Sequence, residues 1–328
     1  MRQARIKVVA ETGEAVYHCL SRTVNGERLF DDPAKEILRR QFWQVADYCG
    51  VEILTYAILA NHFHVLVRVP QKRALSDGEL LRRYQVLYPK PTRYQTARLE
   101  VIRRELPGNG PGAQAWRRRQ LALMGDLSAF MKLVKQRYSI WYNRSHRRFG
   151  TLWSERFKSV LVEPQARVLR AVAAYIDLNA VRAGLVGDPK DYRFCGYAEA
   201  VAGVARARAG LASWHSGPDW PTVQADYRTA LFGLATGPRE HGAAIAPKAL
   251  AQVLAQGGRL PLATVLRCRV RYFNDGAVLG SRAFVALHLA AYGARTGRRQ
   301  GMDVRPLPPI ADWGDLATLR GLRRRAFG

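Results

Sequence analysis

The stretch LANHFHVLV, residues 59–67, decides how the surrounding chain is interpreted, because histidines and apolar residues alternate in it. Side chains of a β-strand point alternately to its two faces, so Phe63 and Val65 share one face while His62 and His64 share the other. The apolar face predicts burial under helices. The two imidazoles, roughly 7 Å apart at their Cα atoms, can converge on one divalent ion. Alternatively, both histidines lie idle and hydrogen-bonded on a half-exposed strand.

The segments around this strand predict a mixed fold. The Asp32-Pro33 pair is typical of a helix start, with Asp32 as the cap, and Gly50 predicts its end. The order β-α-β-β-α-β indicates an α+β protein with a ferredoxin-like split βαβ antiparallel sheet and helices on one face. The predicted strands are 15–23, 51–59, 62–69 and the end of 151–163, and the predicted helices are 32–49, 126–142 and 165–180.

Composition divides the chain into two parts. Residues 10–200 hold the predicted sheet domain, interrupted by a polar, arginine- and proline-rich insertion at 71–120 with helices at 79–87 and 95–105. After a linker-like stretch, GVARARAG at 203–210, the strand-helix rhythm is lost. We therefore expect residues 201–328 to form a separate C-terminal helical module or extension.

The charge of the chain points to a polyanionic partner. There are 52 Lys and Arg residues against 26 Asp and Glu residues, a net charge of +26 in 328 residues. Such an excess favours nucleic acid or an anionic membrane surface. No run of about 18 apolar residues and no secretory signal is found, so nucleic acid is the better partner and membrane association is not expected. The four cysteines are widely spaced, which predicts no zinc site or disulfide framework and fits a cytoplasmic protein.

A second motif, AAYIDLNAVRAG at residues 173–184, places Tyr175, Asn179 and Arg182 on one helix face through i, i+4 and i+7 spacing. A phenol, an amide oxygen and a guanidinium in one row suit phosphodiester chemistry. The phenol can attack phosphorus, the amide can bind a metal ion, and the guanidinium can neutralise phosphate. The alternative for Tyr175 is an ordinary surface tyrosine.

Taken together, these motifs resemble those of the REP-associated tyrosine transposases, single-strand DNA transposases of the HUH endonuclease superfamily. The resemblance rests on NHFHVLV at 61–67, GTLWSERFKSVLVE at 150–163 and YIDLNAVRAGLV at 175–186, with YHCLSR at 17–22. It covers about residues 10–200. A further stretch, YFNDGAVLGSRAFV at 272–285, looks like the C-terminal segment of longer members.

The resemblance implies roles for four residues. His62 and His64 are the expected metal-binding pair, Asn179 the expected third ligand, and Tyr175 the expected nucleophile. Imidazole nitrogens, an amide oxygen and waters suit Mg²⁺ or Mn²⁺ better than a closed zinc site. The implied reaction cleaves and rejoins single-stranded DNA through a 5′-phosphotyrosine.

Further residues are predicted to contact DNA. Arg156 and Lys158 are expected on one face of the fourth strand, with Trp153 just before them, and a core position is the alternative for Trp153. Arg22 and Arg182 complete the set. The expected substrate is single-stranded DNA, with hairpin-forming palindromic repeats implied by the resemblance. A monomer that completes its site in cis is favoured over a homodimer.

Two other functions compete with this interpretation. A rolling-circle-type initiator would use related chemistry, but the sequence contains no P-loop GxxxxGK[ST] of a helicase. A non-catalytic nucleic-acid-binding protein, such as a domesticated repressor, would have no need of both histidines, the tyrosine and the asparagine together.

Overall fold

The computed structural model describes residues 6, 8, 13–89, 95–232, 255, 262–267, 272–296, 303–307 and 313–320. Within them, seven strands form one sheet in the order β2-β3-β1-β4-β5-β7-β6. The strands are β1 (Ala15–Arg22), β2 (Glu52–Ile58), β3 (His62–Val69), β4 (Lys158–Val162), β5 (Val278–Ser281), β6 (Asp303–Pro306) and β7 (Leu316–Arg320).

Helices account for most of the remaining described chain. They are α1 (Asp32–Cys49), α2 (Asp77–Leu87), α3 (Gln95–Glu105), α4 (Pro111–Leu121), α5 (Leu127–Ser145), α6 (Ala166–Asp177), α7 (Asn179–Arg182), α8 (Gly196–Val201), α9 (Ala205–Ala212), α10 (Trp220–Phe232), α11 (Leu262–Arg267), α12 (Tyr272–Asp275) and α13 (Arg282–Thr296). Among these described helices, none is both long enough and apolar enough to cross a membrane.

The first helix begins and ends where local chemistry dictates. The carboxylate of Asp31 accepts a hydrogen bond from the Ala34 amide at 2.8 Å, so Asp31 is the cap and not Asp32, as the sequence suggested. At the other end Gly50 adopts the left-handed conformation, with φ 64° and ψ 38°. The chain therefore reverses at Gly50 and enters β2.

The predicted β-α-β-β-α-β unit is present, and the α+β class is confirmed. β1 pairs antiparallel with both β3 and β4, and β2 pairs antiparallel with β3. This pairing gives the strand order β2-β3-β1-β4 of a ferredoxin-like sheet. The central position of β1 and β3 places His64 directly across from Leu20.

Helices cover both faces of this sheet, so the prediction of helices on one face only is wrong. On one face α1 contacts β3, with the rings of Phe42 and Phe63 at 5.1 Å between centroids. On the other face α6 contacts β3, with the rings of Tyr175 and His64 at 6.0 Å. The physical reason is that both faces of β3 are buried: Val65 is fully buried and His64 is 2% exposed.

The C-terminal part is not purely helical, which corrects a second expectation. β5 pairs parallel to β4, with Val278 beside Leu161, and β7 and β6 continue the sheet beyond it. The Glu163 carboxylate, at the end of β4, accepts hydrogen bonds from the Ser281 amide at 2.6 Å and the Ser281 hydroxyl at 3.0 Å. These strands have four or five residues, too few for a clear alternation. The domain boundary at residue 200 stays a prediction.

The described residues of the insertion at 71–120 form three helices, α2, α3 and α4, of which α4 was not expected. Pro111 occupies the first turn of α4, a position where its missing N–H costs nothing. The Tyr48 hydroxyl on α1 donates a hydrogen bond to the Gln120 side-chain oxygen on α4 at 2.7 Å, so the insertion packs against the sheet domain.

Candidate active site

The two histidines of β3 point to the same face of the sheet, as their alternation predicts. Their ring centroids are 5.3 Å apart. His62 lies opposite Arg22 of β1, and His64 lies opposite Leu20. His64 is almost fully buried and His62 is half-buried, so the strand is more buried than the half-exposed alternative predicted.

A third imidazole lies in the same cluster. His18 of β1 stacks on His64, with ring centroids 5.1 Å apart, and its Nε2 lies 2.9 Å from Nδ1 of His64. The other nitrogen of His18, Nδ1, lies 3.0 Å from the carbonyl oxygen of Phe273. Both ring nitrogens of His18 therefore have hydrogen-bond partners.

The ring of His62 is oriented by its chain neighbour. The Asn61 side-chain amide donates from Nδ2 to the Gly26 carbonyl at 3.0 Å, which leaves its oxygen to face His62. That oxygen lies 2.7 Å from Nδ1 of His62 and can only accept, so Nδ1 of His62 carries the proton. The Nε2 lone pair of His62 is therefore left for a ligand.

Tyr175 on α6 meets this cluster within one chain. Its ring lies edge-on to His64 at 6.0 Å and to His18 at 6.1 Å between centroids. It is 4% exposed, and Phe273 packs against it at 4.8 Å. The Asn274 side-chain amide donates a hydrogen bond to the Tyr175 hydroxyl oxygen. A donor at this oxygen stabilises the phenolate more than the phenol.

Asn179 and Arg182 lie beside Tyr175, as the helical spacing predicts, although the helix is interrupted at Leu178. The Asn179 amide donates from Nδ2 to the carbonyl oxygens of Tyr175 and Ile176, at 3.1 and 3.0 Å. These two bonds fix the orientation of the side chain, with its oxygen on the other side of the amide.

Arg182 differs from its predicted role. A residue that neutralises DNA phosphate should present its guanidinium to solvent, yet Arg182 is buried. It donates to the backbone carbonyls of Tyr175 and Leu266, and its guanidinium carbon lies 4.2 Å from the centre of the Tyr175 ring. In this position its charge acts on the tyrosine and not on an exposed phosphate.

Burial keeps the imidazoles neutral. Desolvation is the main cause that lowers the pKa of His18 to about 4. Desolvation, together with the Arg22 and Arg182 charges, lowers the pKa of His62 to about 4. Burial and the neighbouring imidazoles hold the pKa of His64 well below its ordinary value. Metal-binding imidazoles must be unprotonated, so the three rings are in the required charge state at neutral pH.

The donor set fits a hard or borderline divalent ion held partly by water or phosphate. Within the described ranges no three His, Cys, Asp or Glu side chains are grouped to hold a metal ion by themselves. His62 offers a nitrogen lone pair, and the Asn179 amide is held against α6 by its hydrogen bonds to the Tyr175 and Ile176 carbonyls. Two imidazoles with an amide oxygen leave positions open for substrate, as a catalytic site requires.

The tyrosine helix is anchored on its opposite side by Asp177. This buried carboxylate accepts hydrogen bonds from the Thr55 hydroxyl at 2.8 Å, the Tyr227 hydroxyl at 2.5 Å and the Tyr197 amide at 3.3 Å. Burial raises the pKa of Asp177 to about 7, against the effect of these donors. The anchor connects α6 to β2, α8 and α10 and so fixes the height of Tyr175 above the sheet.

The residues predicted to contact DNA lie in two places. Arg22 and Lys158 are exposed on the histidine face, where Lys158 lies opposite Leu20. Arg156 lies before β4, which begins at Lys158, so the expected pair on one strand face is not formed. Arg156 and Trp153 instead line a pocket of about 520 Å³ along α5.

Trp153 is half-buried and serves the core and the pocket at once. Its ring packs against Phe30 and Phe63. Its indole N–H donates to the Ser139 hydroxyl at 2.8 Å, and the Lys135 ammonium lies 5.0 Å from its ring centre. The pocket also contains Lys132, so a basic and aromatic lining is present there.

Sequence reasoning missed three residues of the site: His18, Phe273 and Asn274. The alternation of YHCLSR puts His18 on the same strand face as Leu20, but the β1–β3 register that places both beside His64 is not written in either strand alone. The YFND stretch at 272–275 stood out as a motif, and only the fold shows that it reaches Tyr175.

One comparison with known proteins, that with a protein-family model, supports the motifs over part of the chain. No curated protein matches the chain. A solved structure described as "Structure of the REP associates tyrosine transposase bound to a REP hairpin" aligns with 14% identity and a TM-score of 0.39, covering 62% of this chain and 87% of that one. The family model described as "Transposase IS200 like" matches residues 12–78, a segment that contains His18, His62 and His64. The transposase resemblance indicated by the motifs is thus confirmed for this segment.

Proposed function

We propose that this protein is a transposase that cleaves and rejoins single-stranded DNA through a covalent 5′-phosphotyrosine on Tyr175. The observation that carries the proposal is the convergence of two distant motifs: the phenol of α6 lies against the imidazoles of β3 in the same chain, with 6.0 Å between the ring centres of Tyr175 and His64. Residues 12–78, which match the transposase family, supply the imidazole half of that pair.

The chemistry follows from the phenol as nucleophile. The Tyr175 oxygen attacks phosphorus and loses its proton, while the bond from phosphorus to the 3′-oxygen breaks and that oxygen takes up a proton. The new phosphotyrosine is again a phosphodiester, so a different 3′-hydroxyl can attack it and release the phenol. Cleavage and rejoining therefore need no external energy source.

The charge that develops on the phenol oxygen is met by groups of this chain. The Asn274 amide donates to the oxygen, and the Arg182 guanidinium lies over the ring. Arg182 is buried and Asn274 is half-buried, and away from water fixed dipoles and charges act more strongly.

His62, His64 and Asn179 would hold a divalent cation, Mg²⁺ or Mn²⁺. When bound, such an ion supplies Lewis-acid polarisation of the scissile phosphate. The chain prepares the site by keeping the imidazoles unprotonated and by fixing the Asn179 amide to the tyrosine helix.

The excess positive charge supports DNA as the partner. Arg22 and Lys158 flank the histidine face, and the α5 pocket with Trp153 and Arg156 provides a second basic surface with an aromatic side chain. Backbone charge contacts and base stacking are the two features that single-stranded DNA sites combine. Hairpin-forming repeats as the substrate follow from the motif resemblance alone.

The direct test incubates the protein with a hairpin oligonucleotide carrying a single-stranded 5′ flank, in Mn²⁺ or in EDTA, and resolves the products on a denaturing gel. We expect a protein–DNA adduct in Mn²⁺ and none in EDTA. Tyr175→Phe should remove the adduct and keep binding in a filter or mobility-shift assay. Binding without any adduct in the unmodified protein would favour the non-catalytic DNA-binding alternative.

A further inference from the structure

The segment Tyr272–Asp275, helix α12, contacts both halves of the catalytic pair. The carbonyl oxygen of Phe273 lies 3.0 Å from Nδ1 of His18, and the Phe273 ring lies 4.8 Å from that of Tyr175. The Asn274 side chain donates to the Tyr175 hydroxyl. These residues follow the histidine strand by about two hundred positions, and the pairing of β5 with β4 brings them back to it.

The contacts of His18 determine where its proton sits. A backbone carbonyl oxygen can only accept, so the Nδ1 nitrogen that faces Phe273 must carry a hydrogen. A neutral imidazole carries one ring proton, which leaves Nε2 of His18 as an acceptor. That Nε2 faces Nδ1 of His64 at 2.9 Å.

The position of the ring proton on His64 follows from that on His18. Because its Nδ1 faces an acceptor, Nδ1 must carry the proton, and Nε2 of His64 is left with its lone pair. His62 reaches the same state through the Asn61 oxygen at 2.7 Å. Both imidazoles of β3 are thus held in the tautomer with a free Nε2. The partner that holds His62 is Asn61, whereas His64 is held through His18 and the distant Phe273 carbonyl.

We propose that His18, held by the Phe273 carbonyl, is a positioning residue that fixes the ring and tautomer of His64 for metal binding. The inference rests on the proposed function, since it assigns the metal role to His64. It gives the C-terminal segment a part in the site: α12 sets one end of a carbonyl–His18–His64 relay. Partners of this kind orient metal-binding histidines and raise their basicity.

His18 is not a third metal ligand in this arrangement. Both of its nitrogens are engaged, at 3.0 Å to the Phe273 carbonyl and at 2.9 Å to His64. Recruiting it as a ligand would break the contact that orients His64. The described residues also contain no group of three His, Cys, Asp or Glu side chains placed to share an ion.

The test measures Mn²⁺ affinity of the DNA-free protein by the loss of the free-ion EPR signal. His18→Phe keeps the ring but removes the acceptor, and we expect it to weaken Mn²⁺ binding roughly 10- to 100-fold, the usual effect of losing such a partner. His18→Gln places an amide oxygen where it can accept from His64, and should recover most of the affinity. His146→Phe is the matched control, because His146 caps the C-terminal end of α5 outside the cluster, and this variant should bind as the unmodified protein does.

A second readout needs no substitution in the relay. Long-range ¹⁵N–¹H correlation of ¹⁵N-histidine-labelled protein reports the tautomer, with the His64 signals identified by their loss in His64→Ala. The relay predicts the Nδ1–H form of His64, so this measurement decides the inference even if His18→Phe fails to fold.

The outcomes separate the inference from the proposed function. Equal Mn²⁺ affinity in His18→Phe and the unmodified protein, or an Nε2–H form of His64, would overturn the relay and leave the proposed function standing. An unmodified protein that binds no Mn²⁺ would overturn the metal role in the proposed function, and the His64 tautomer alone would then decide the relay.

Discussion

Both faces of strand β3 are buried at the centre of the strand, and the two faces do different things. On one face Phe63 and Val65 are fully buried, and the Phe63 ring packs against Phe42 of α1. On the other, His64 is 2% exposed, yet it lies among hydrogen-bond partners and a phenol. Burial alone therefore does not distinguish core from site. The site is distinguished from the core by buried polar atoms that have defined hydrogen-bond partners. A buried polar atom without a partner would cost folding free energy.

We expect a substitution on the histidine face to reduce the cleavage reaction more than the stability of the fold. His64→Ala should lower metal-dependent adduct formation below detection, because it deletes one of the two imidazole nitrogens left for the ion. The measurement is adduct yield in Mn²⁺ on a denaturing gel. Adduct formation at the unmodified rate would show that the ion is not held by β3.

A substitution on the apolar face should do the reverse. Phe63→Ala removes a fully buried ring that packs against Phe42, and we expect the free energy of unfolding to fall by about 3–5 kcal/mol. Urea denaturation followed by circular dichroism measures the loss. Below its melting temperature this variant should still form the adduct. A stable Phe63→Ala protein that forms no adduct would contradict the division of roles between the two faces.

Acid should lower the stability of the folded protein through the buried imidazole of His18 on the histidine face. The pKa of His18 is near 4 in the folded protein against 6.5 when unfolded, so between these values the unfolded chain binds more protons and stability falls as pH falls. For His18 alone the loss amounts to about 2 kcal/mol by pH 5. Asp177 acts in the opposite direction, because burial raises its pKa to about 7.

Subtracting the acid-induced change in unfolding free energy of His18→Gln from that of the unmodified protein cancels the contribution of Asp177, which both proteins contain. Urea unfolding of both proteins at pH 7 and pH 5, without metal, should show a smaller acid loss in His18→Gln. The same loss in both proteins would mean that His18 does not contribute to the acid loss.

The smallest expected effect concerns the link between the phenol and the C-terminal segment. Asn274→Ala removes the amide that donates to the Tyr175 hydroxyl, and we expect adduct formation to slow by about tenfold, a loss of about 1.4 kcal/mol. Asn143→Ala is the matched control, since Asn143 lies on α5 and its side-chain amide donates to the Gly150 carbonyl. A faster reaction in Asn274→Ala would mean that the segment covers the tyrosine instead of positioning it.

Much of the sheet could be predicted because its signals are local. The alternation of β3, the Asp32-Pro33 helix start and the helix end at Gly50 are each signalled within a few residues, although the cap is Asp31 and not Asp32. The helix spacing that joins Tyr175, Asn179 and Arg182 is equally local, and the structure brings these three together.

The rest depends on pairing between distant segments. β5 lies more than one hundred residues beyond β4, and its four residues have no periodicity from which its pairing with β4 could be predicted. His18 and Asn274 enter the site only through such pairings, and Arg182 turns inward because Leu266 offers a carbonyl oxygen to it. No spacing rule within one motif contains this information.

Peptide mapping of the covalent adduct tests the central claim most directly. After nuclease and protease digestion, tandem mass spectrometry of the adduct formed in Mn²⁺ should locate the residual nucleotide on the phenol oxygen of Tyr175. A nucleotide on another tyrosine, or on a serine of the same digest, would contradict the assignment of the phenol that lies beside the β3 imidazoles as the nucleophile.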